Sequence, residues 1–431
     1  MTINRRQFLA TSATTAAGAA LPAGLKGDDP PAAPAAPAVH VKRRTTLRVL
    51  GTHVTLQEQI RRRAEADLGI RLIFEPGGSA AVLHRASTNP QSFDLYEQWT
   101  DSIRVLWQAG TIQPIDTERI RYWDEINPLT KTGQLTPTAN VGAGDAPHTI
   151  LYAQHDDSLS CHPTPQLSYL PYVHNVDSFG YNAAVVPRGE AYKTESWAWL
   201  LDRQWAGKVA VINAPTIGLF DLAMAVAAKG LMEFENIGNL TRSELDELFA
   251  ILIDYRRRGH FRGVWSSVPQ SVDWMGRGET VIESMFSPAV FDLRSRDVNC
   301  VYASPREGYR GWHGVICMSS QVDGAVKDAA YDYMNWWLSG WPGAYIARQG
   351  YYICNPERSR GEMSADEWDY WYLGKPARRA LPGTSGHTVV DAGAIRDGGS
   401  YEQRFSNIAV WNSVMDSYEY SLARWNEFVS S

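Results

Sequence analysis

The chain has 431 residues, of which 44% are hydrophobic and 20% charged, with a formal net charge of −6. That length exceeds what one small core needs and is ordinary for two domains. The acidic balance, with no long run of Lys or Arg on one segment, offers nothing to neutralise a phosphate backbone, so nucleic acid is excluded as an expected partner. The 16 Trp and 20 Tyr are more than a core alone requires, and such amphipathic rings suit a pocket that stacks on a ligand, although most of them individually read as core or surface.

At the N-terminus, Asn4-Arg5-Arg6-Gln7-Phe8-Leu9-Ala10 sets twin arginines directly before an uncharged Ala/Thr/Gly run that reaches Gly24. This pattern predicts a Tat-type export signal. From Asp28 to His40 a Pro/Ala-rich stretch has too little apolar surface to fold and reads as a linker. Residues 1–40 are therefore assigned to signal peptide and linker. No other stretch has the roughly 18 to 20 consecutive apolar residues of a spanning helix, so the expectation is a periplasmic protein without direct membrane insertion. Cys161, Cys300, Cys317 and Cys354 would then sit where disulfides are allowed. Spacing does not choose among their possible pairings, and no Cys-x-x-Cys pair marks a zinc ribbon or a thioredoxin-like site.

Thr46–Gly51 predicts a strand, Leu56–Leu68 an amphipathic helix, Ile70–Phe74 a second strand and Phe93–Gln98 a third. Alternation of this kind implies a parallel, doubly wound sheet whose ligands bind beyond the carboxyl ends of the strands. That rule places Gly51 to Val54 and Trp99, Thr100, Asp101 and Ser102 at a binding edge. From Trp123 to Pro171 the chain is loop-rich and carries His148, His155, Asp156, Asp157, Cys161 and His162. Imidazole, carboxylate and thiolate are metal donors, yet no tight paired spacing supports ligation, and a solvated surface loop explains the cluster as well.

Leu170–Asn182 reads as an extended strand passing between lobes, which places Tyr172, His174 and Asn175 at the cleft. A second lobe repeats the alternation. It has a helix over Ser196–Asp202, a strand over Lys208–Asn213, helices over Gly218–Lys229, Arg242–Arg257 and Val272–Arg277, a strand over Glu279–Met285, a helix over Pro288–Arg294 and a strand over Asn299–Ala303. Asn213, Glu283 and Ser284 fall at strand ends, the ligand edge of this lobe. Arg310 to Ser320 predicts a second crossing, with Trp312 and His313 facing the cleft. Helices over Gly324–Leu338 and Pro342–Gln349 return to the first lobe, and Gly350–Pro356 forms a third crossing. The fold class is α/β with two lobes. Lobe 1 comprises 45–174 plus 314–350, and lobe 2 comprises 177–311 plus 353–431.

Four sets of residues, in this order, carry a resemblance to a known family. They are Trp107-Gln-Ala-Gly110-Thr-Ile-Gln-Pro-Ile-Asp116; Ser196-Trp197 to Asp202 with Trp205-Ala-Gly207-Lys208; Pro305-Arg-Glu-Gly308 with Trp312; and Gly350-Tyr351 to Asn355-Pro356. The chain resembles the extracellular solute-binding proteins of ABC importers, in the branch that binds spermidine and putrescine. The resemblance implies a type II periplasmic binding fold and a non-catalytic protein that closes on a small molecule and docks onto a membrane permease, without a cofactor. The family places an Asp two residues after the Trp matched by Trp312, where this chain has Gly314, and its acidic pair appears here as Asn213-Ala-Pro-Thr-Ile. A buried ammonium without a counter-charge is costly. The expected ligand is therefore a monocation caged by aromatics or a small neutral polar metabolite rather than a polyamine. A lone His is more often structural than a ligand group, and a buried Trp more often core. The competing expectations are a metal-capturing protein built on His148–His162 and an exported metalloenzyme; no Gly-x-Ser-x-Gly or His-Glu-x-x-His motif supports an enzyme.

Overall fold

The first three strands follow the anticipated spans closely. Thr46–Gly51 (β1) pairs in parallel with Arg71–Pro76 (β2) on one side and Leu95–Trp99 (β3) on the other. Between β1 and β2, Glu58–Leu68 (α1) turns Ile60 and Ala64 inward and ends at Gly69, whose φ of 68° is the left-handed conformation that glycine adopts without steric cost. The computed structural model describes residues 44–431; the twin-arginine segment and the Pro/Ala-rich linker lie outside the described residues.

Leu170–Asn182 (β4) is one continuous strand, buried along all but its last residue. Beyond it, Val209–Ile212 (β5) pairs in parallel with Phe261–Trp265 (β6) and with Ile282–Met285 (β7). Strand β6 was not anticipated: Phe-Arg-Gly-Val-Trp lacks a clean alternation, because it lies at the sheet edge with Arg262 exposed. Pro215–Ala228 (α2) starts three residues before the anticipated Gly218, with Pro215 in its first turn, and buries Gly218 to Val226 continuously. A helix covered on nearly every side has no amphipathic onset to read. Arg242–Arg257 (α3) begins as anticipated, because Thr241 and Glu244 form a reciprocal capping box. The helix expected over Ser196–Asp202 is a 3₁₀ turn over Trp197–Leu201, capped by Ser196.

Cys300–Tyr302 (β8), Tyr309–Ser319 (β9), Tyr352–Ile353 (β10) and Ile408–Trp411 (β11) complete the main strands of a twelve-stranded sheet in the order β6-β5-β7-β4-β9-β3-β1-β2. Strands β8 and β10 also pair with β4, and β11 with β9. The two halves of this sheet meet only through β4 and β9, which run antiparallel from Arg310 opposite Asp177 to Ile316 opposite Leu170. Each continues into one half, β4 against β7 and β9 against β3. The architecture is a two-lobe α/β fold with crossing strands.

Residues 44–431 form one compact unit, within which the apolar interior is divided. One cluster gathers Leu47, Val49, Tyr96, Val173 and Ile316 around the first half-sheet. A second gathers Val211, Phe220, Leu248, Ile282 and Trp425 around the other. A third, with Val176, Tyr309, Tyr352, Trp371, Tyr401 and Phe405, lies against the crossing strands. All four cysteines are free thiols, Cys161 exposed and the other three buried.

Candidate functional site

Successive side chains of a strand point to opposite faces, so the antiparallel pair β4–β9 presents two distinct surfaces. Arg310 lies opposite Asp177 and Trp312 opposite Asn175, which puts these four on one face. His313 lies opposite His174, which puts both imidazoles on the other.

The first face floors a small, mainly apolar pocket of about 60 Å³. Val54 and Trp99 come from the first half, Ile217 and Phe286 from the second, Asp177, Arg310, Trp312 and Tyr351 from the crossing segments, and Asn412 from just beyond β11. Trp312 is the centre of an aromatic group, with Trp99 edge-on at 4.7 Å and Tyr351 at 5.5 Å between ring centroids. Arg310, fully buried, donates from Nε to Asp221 Oδ1 at 2.7 Å and from Nη1 to Asn412 Oδ1 at 3.0 Å, and its Nη2 stands 3.7 Å from Asp177 Oδ2. Burial pushes the Asp177 carboxyl up to about 6 against the pull of Arg310.

Beside this pocket, the turn after β3 carries Thr100 and Asp101, both buried. Burial first, and then the charge of Asp145, pushes the Asp101 carboxyl up to about 7, while the Thr216 hydroxyl at the start of α2 acts in the opposite direction. Asp145 is bridged by Arg104 at 3.2 Å, but Asp101 has no cationic partner among the described residues. Thr100 Oγ1, Asp101 Oδ1, Asp145 Oδ2, Asn175 Oδ1 and Asp221 Oδ2 are buried without a hydrogen-bond partner. These atoms are acceptors, or in the case of Thr100 both acceptor and donor, and unmet buried groups of this kind are costly unless a ligand meets them. The arrangement can desolvate a small molecule against aromatic rings and supply acceptors to its donors.

The other sequence-predicted residues serve the frame. Tyr172 is in the first core, its hydroxyl 3.0 Å from Thr55 Oγ1 and donating to Glu97 Oε2 at 3.2 Å, its ring edge-on to Trp337. His174 and His313 stack at 5.0 Å on the back face, with His174 Nε2 2.8 Å from the Tyr401 hydroxyl and His313 Nε2 2.9 Å from Thr130 Oγ1. Burial pushes His313 down to about 4 and His174 well below the ordinary range. Glu283 lies beneath the second half-sheet, where the Ser271 and Thr280 hydroxyls donate to it and burial pushes it up to about 8. Ser284 Oγ accepts from Ile212 N, and the exposed Asn213 accepts from Trp425 Nε1 at 3.0 Å. Of the sequence-predicted residues Trp312 lines the pocket; Thr100 and Asp101 follow Trp99 in the next turn, Asn175 lies opposite Trp312 on β4, and Tyr172, His174, Asn213, Glu283, Ser284 and His313 are in supporting positions. Arg310, Asp177, Tyr351 and Asp221 were not named as site residues. Stepping by two from Trp312 and from Asn175 would have found the first two.

At Gly314, an added Cβ would lie 2.8 Å from the Tyr172 ring and 2.6 Å from Val173 O. A carboxylate there would force the β4 backbone and the Tyr172 ring to shift. In the loop-rich segment, His155, Asp156, Asp157, Cys161 and His162 are exposed, and no group of three or more His, Cys, Asp or Glu among the described residues could hold a metal. The metal-capture and metalloenzyme readings gain no support. No helix among the described residues is long and apolar enough to cross a membrane.

A two-lobe fold with an aromatic, acceptor-rich pocket at its crossing strands defines a solute-binding architecture. Residues 59–370 match the bacterial extracellular solute-binding proteins, and the chain belongs to that family. It is an extracellular solute-binding protein, and proteins of this family bind a small ligand and deliver it to a permease. The spermidine/putrescine substrate-binding protein PotD of Streptococcus pneumoniae is similar at 13% identity and a TM-score of 0.60, over 89% of this chain and 99% of that one. The Tp0655 (TpPotD) lipoprotein of Treponema pallidum is similar at 12% identity and a TM-score of 0.63, over 90% and 100%. The Atu4243–GABA receptor structure matches at 14% identity and a TM-score of 0.53, over 90% and 97%. No curated protein sequence matches the chain.

Proposed function

We propose that this protein is a periplasmic, Tat-exported, monomeric capture protein that closes its lobes on a small amine-type monocation or small polar metabolite. Its lobes are residues 45–174 with 314–350 and residues 177–311 with 353–431. The observation that carries the ligand reading is Asp101, a buried carboxyl without a cationic partner, next to the Trp99–Trp312–Tyr351 group. An ammonium held there meets a carboxylate and aromatic faces together, and each strengthens the other in a desolvated site. The carboxylates of Asp177 and Asp221 are already engaged by Arg310, which leaves charge for one cation rather than for the two or three of a polyamine. The structural neighbours named for spermidine/putrescine and for GABA share amine ligands with this reading. Ligand contacts to both lobes would shift an open–closed equilibrium toward the closed form.

A thermal-shift screen over monoamines, quaternary ammonium compounds, amino acids, polyamines and organic acids tests it. A ligand at 100 times its Kd is expected to stabilise by about 2.7 kcal/mol, with spermidine weaker than the best monocation. Tight spermidine binding left unchanged by Trp312→Ala would overturn both the ligand class and the site.

A further inference from the structure

A hollow of about 340 Å³ lies away from the cleft. It opens beside the back-face aromatic cluster and is lined by Arg188, Tyr192, Glu195, Arg396, Asp397 and Gln403 among others. A smaller hollow that shares Tyr302, Arg396 and Asp397 continues from it past Arg294 and Arg404. Much of this lining comes from residues 395–404, beyond the stretch that matches the solute-binding family.

The charges there do not balance. Asp397 is paired with Arg294, stands 3.7 Å from Arg188 and accepts from Tyr302 N. Glu195 is engaged by the Tyr181 hydroxyl at 2.7 Å and by Ser304 N. Neither carboxylate forms a hydrogen bond or an ion pair with Arg396 or Arg404, and Asp397 acts on Arg396 only at longer range. Arg396, 6% exposed, packs its guanidinium over Trp371 at 4.7 Å and Tyr352 at 5.2 Å from the ring centroids, and its Nη2 donates to Gly350 O across 3.4 Å. Arg404, 2% exposed, donates to the backbone oxygens of Asp397 and Val176. The Nε of each is buried with no acceptor. A buried guanidinium without a counter-charge is costly, and one stacked on aromatic rings still presents a flat, forked donor edge suited to carboxylate or phosphate oxygens.

We propose that this hollow is a second ligand site, separate from the cleft, that binds a small oxyanion of the carboxylate or phosphate type through Arg396, with Arg404 behind it and Arg188 at the rim. Because Arg404 is tied to β4 through Val176 O, an anion held there bears on the crossing strands from the side opposite the cleft.

Titration calorimetry at low salt on the mature protein, with succinate and inorganic phosphate as separate probes, tests the site and shows which oxyanion it takes. At least one probe is expected to bind with a Kd of about 1 mM or below. Arg396→Gln and the rim reversal Arg188→Glu should each weaken it by about tenfold or more, while Trp312→Ala leaves it unchanged. Arg188 is well exposed, so its variant reports even where Arg396→Gln fails to fold. Absence of binding by both probes at about 10 mM, unchanged affinity in Arg188→Glu, or loss of binding in Trp312→Ala would each overturn the second site without touching the cleft reading, which rests on amine binding.

Discussion

The two faces of the β4–β9 pair share one backbone ladder and differ in almost everything else. On the cleft face, Arg310, Asp177, Asn175 and Trp312 alternate charge and ring, and several polar atoms around them have no partner. On the back face, His174, His313, Tyr352, Tyr401 and Phe405 pack ring against ring, with both imidazole Nε2 atoms within hydrogen-bond distance of a hydroxyl. A strand that joins two lobes has to be fixed on one side and receptive on the other. Ring-on-ring packing fixes the back, where His174 Nδ1 is also left without a partner, while the unmet carboxylate and amide oxygens of the front leave it able to gain from a ligand.

Breaking the cleft face should cost most at Arg310. Removing one member of a buried ion pair strands its partner, so Arg310→Met is expected to lose about 3–5 kcal/mol of stability in urea unfolding, with Asp221 left uncompensated. Trp312→Ala tests ligand binding on the same face: its affinity for the best amine found in screening should fall about 100-fold, close to 2.7 kcal/mol by calorimetry.

The back face should respond to acid instead. The folded-state value of His313 lies near 4, below its unfolded value of 6.5, so the unfolded chain takes up the proton first. The stability from burying it neutral is present above about pH 6.5 and is lost as pH falls toward 4. His313→Gln should therefore flatten the acid limb of the stability profile by roughly 1–3 kcal/mol, while changing amine affinity less than about twofold. A larger change in affinity would mean that the two faces are not separate.

Asp101 has the opposite sign. Its folded value is raised from 3.8 to about 7, so the folded chain holds the proton longer, and stability falls as pH rises between those values. Asp101→Asn should stabilise the ligand-free protein at pH 8 by about 1–2 kcal/mol, an advantage that vanishes below about pH 4, and should weaken amine binding. Stabilisation without any loss of amine affinity would remove Asp101 from the binding role.

Much of this fold is legible in the sequence, because the first lobe is built from ordinary parts: β1, α1, β2 and β3 have apolar periodicity and glycine punctuation. The crossing at Leu170–Asn182 and the span of α3 were equally readable, the latter from its Thr241–Glu244 cap. The site was less so. Crossing strands must border the cleft, but that rule does not say which residues face it. Alternation separates Trp312 from His313, yet the face of each is set by pairing with β4, a contact distant in sequence. The Arg310–Asp221 pair joins residues from separate elements, and nothing local in either announces the other. Glu283 lies inside β7 rather than at its carboxyl end, and hydroxyls of Ser271 and Thr280 hold it there.

The absence of a side chain at position 314 has a consequence for how the ligand preference of this chain can change over time. The Tyr172 ring and the Val173 carbonyl occupy the space that an acidic side chain at 314 would need, and Tyr172 is itself tied to Thr55 and Glu97. Restoring a carboxylate at 314 by one substitution would create a clash. Trimming Tyr172 first would open a void in the first core and release two hydrogen bonds before any new charge appeared. The Val173 carbonyl remains in the way whichever side chain stands at 172, so an acidic residue at 314 requires the β4–β9 ladder itself to shift.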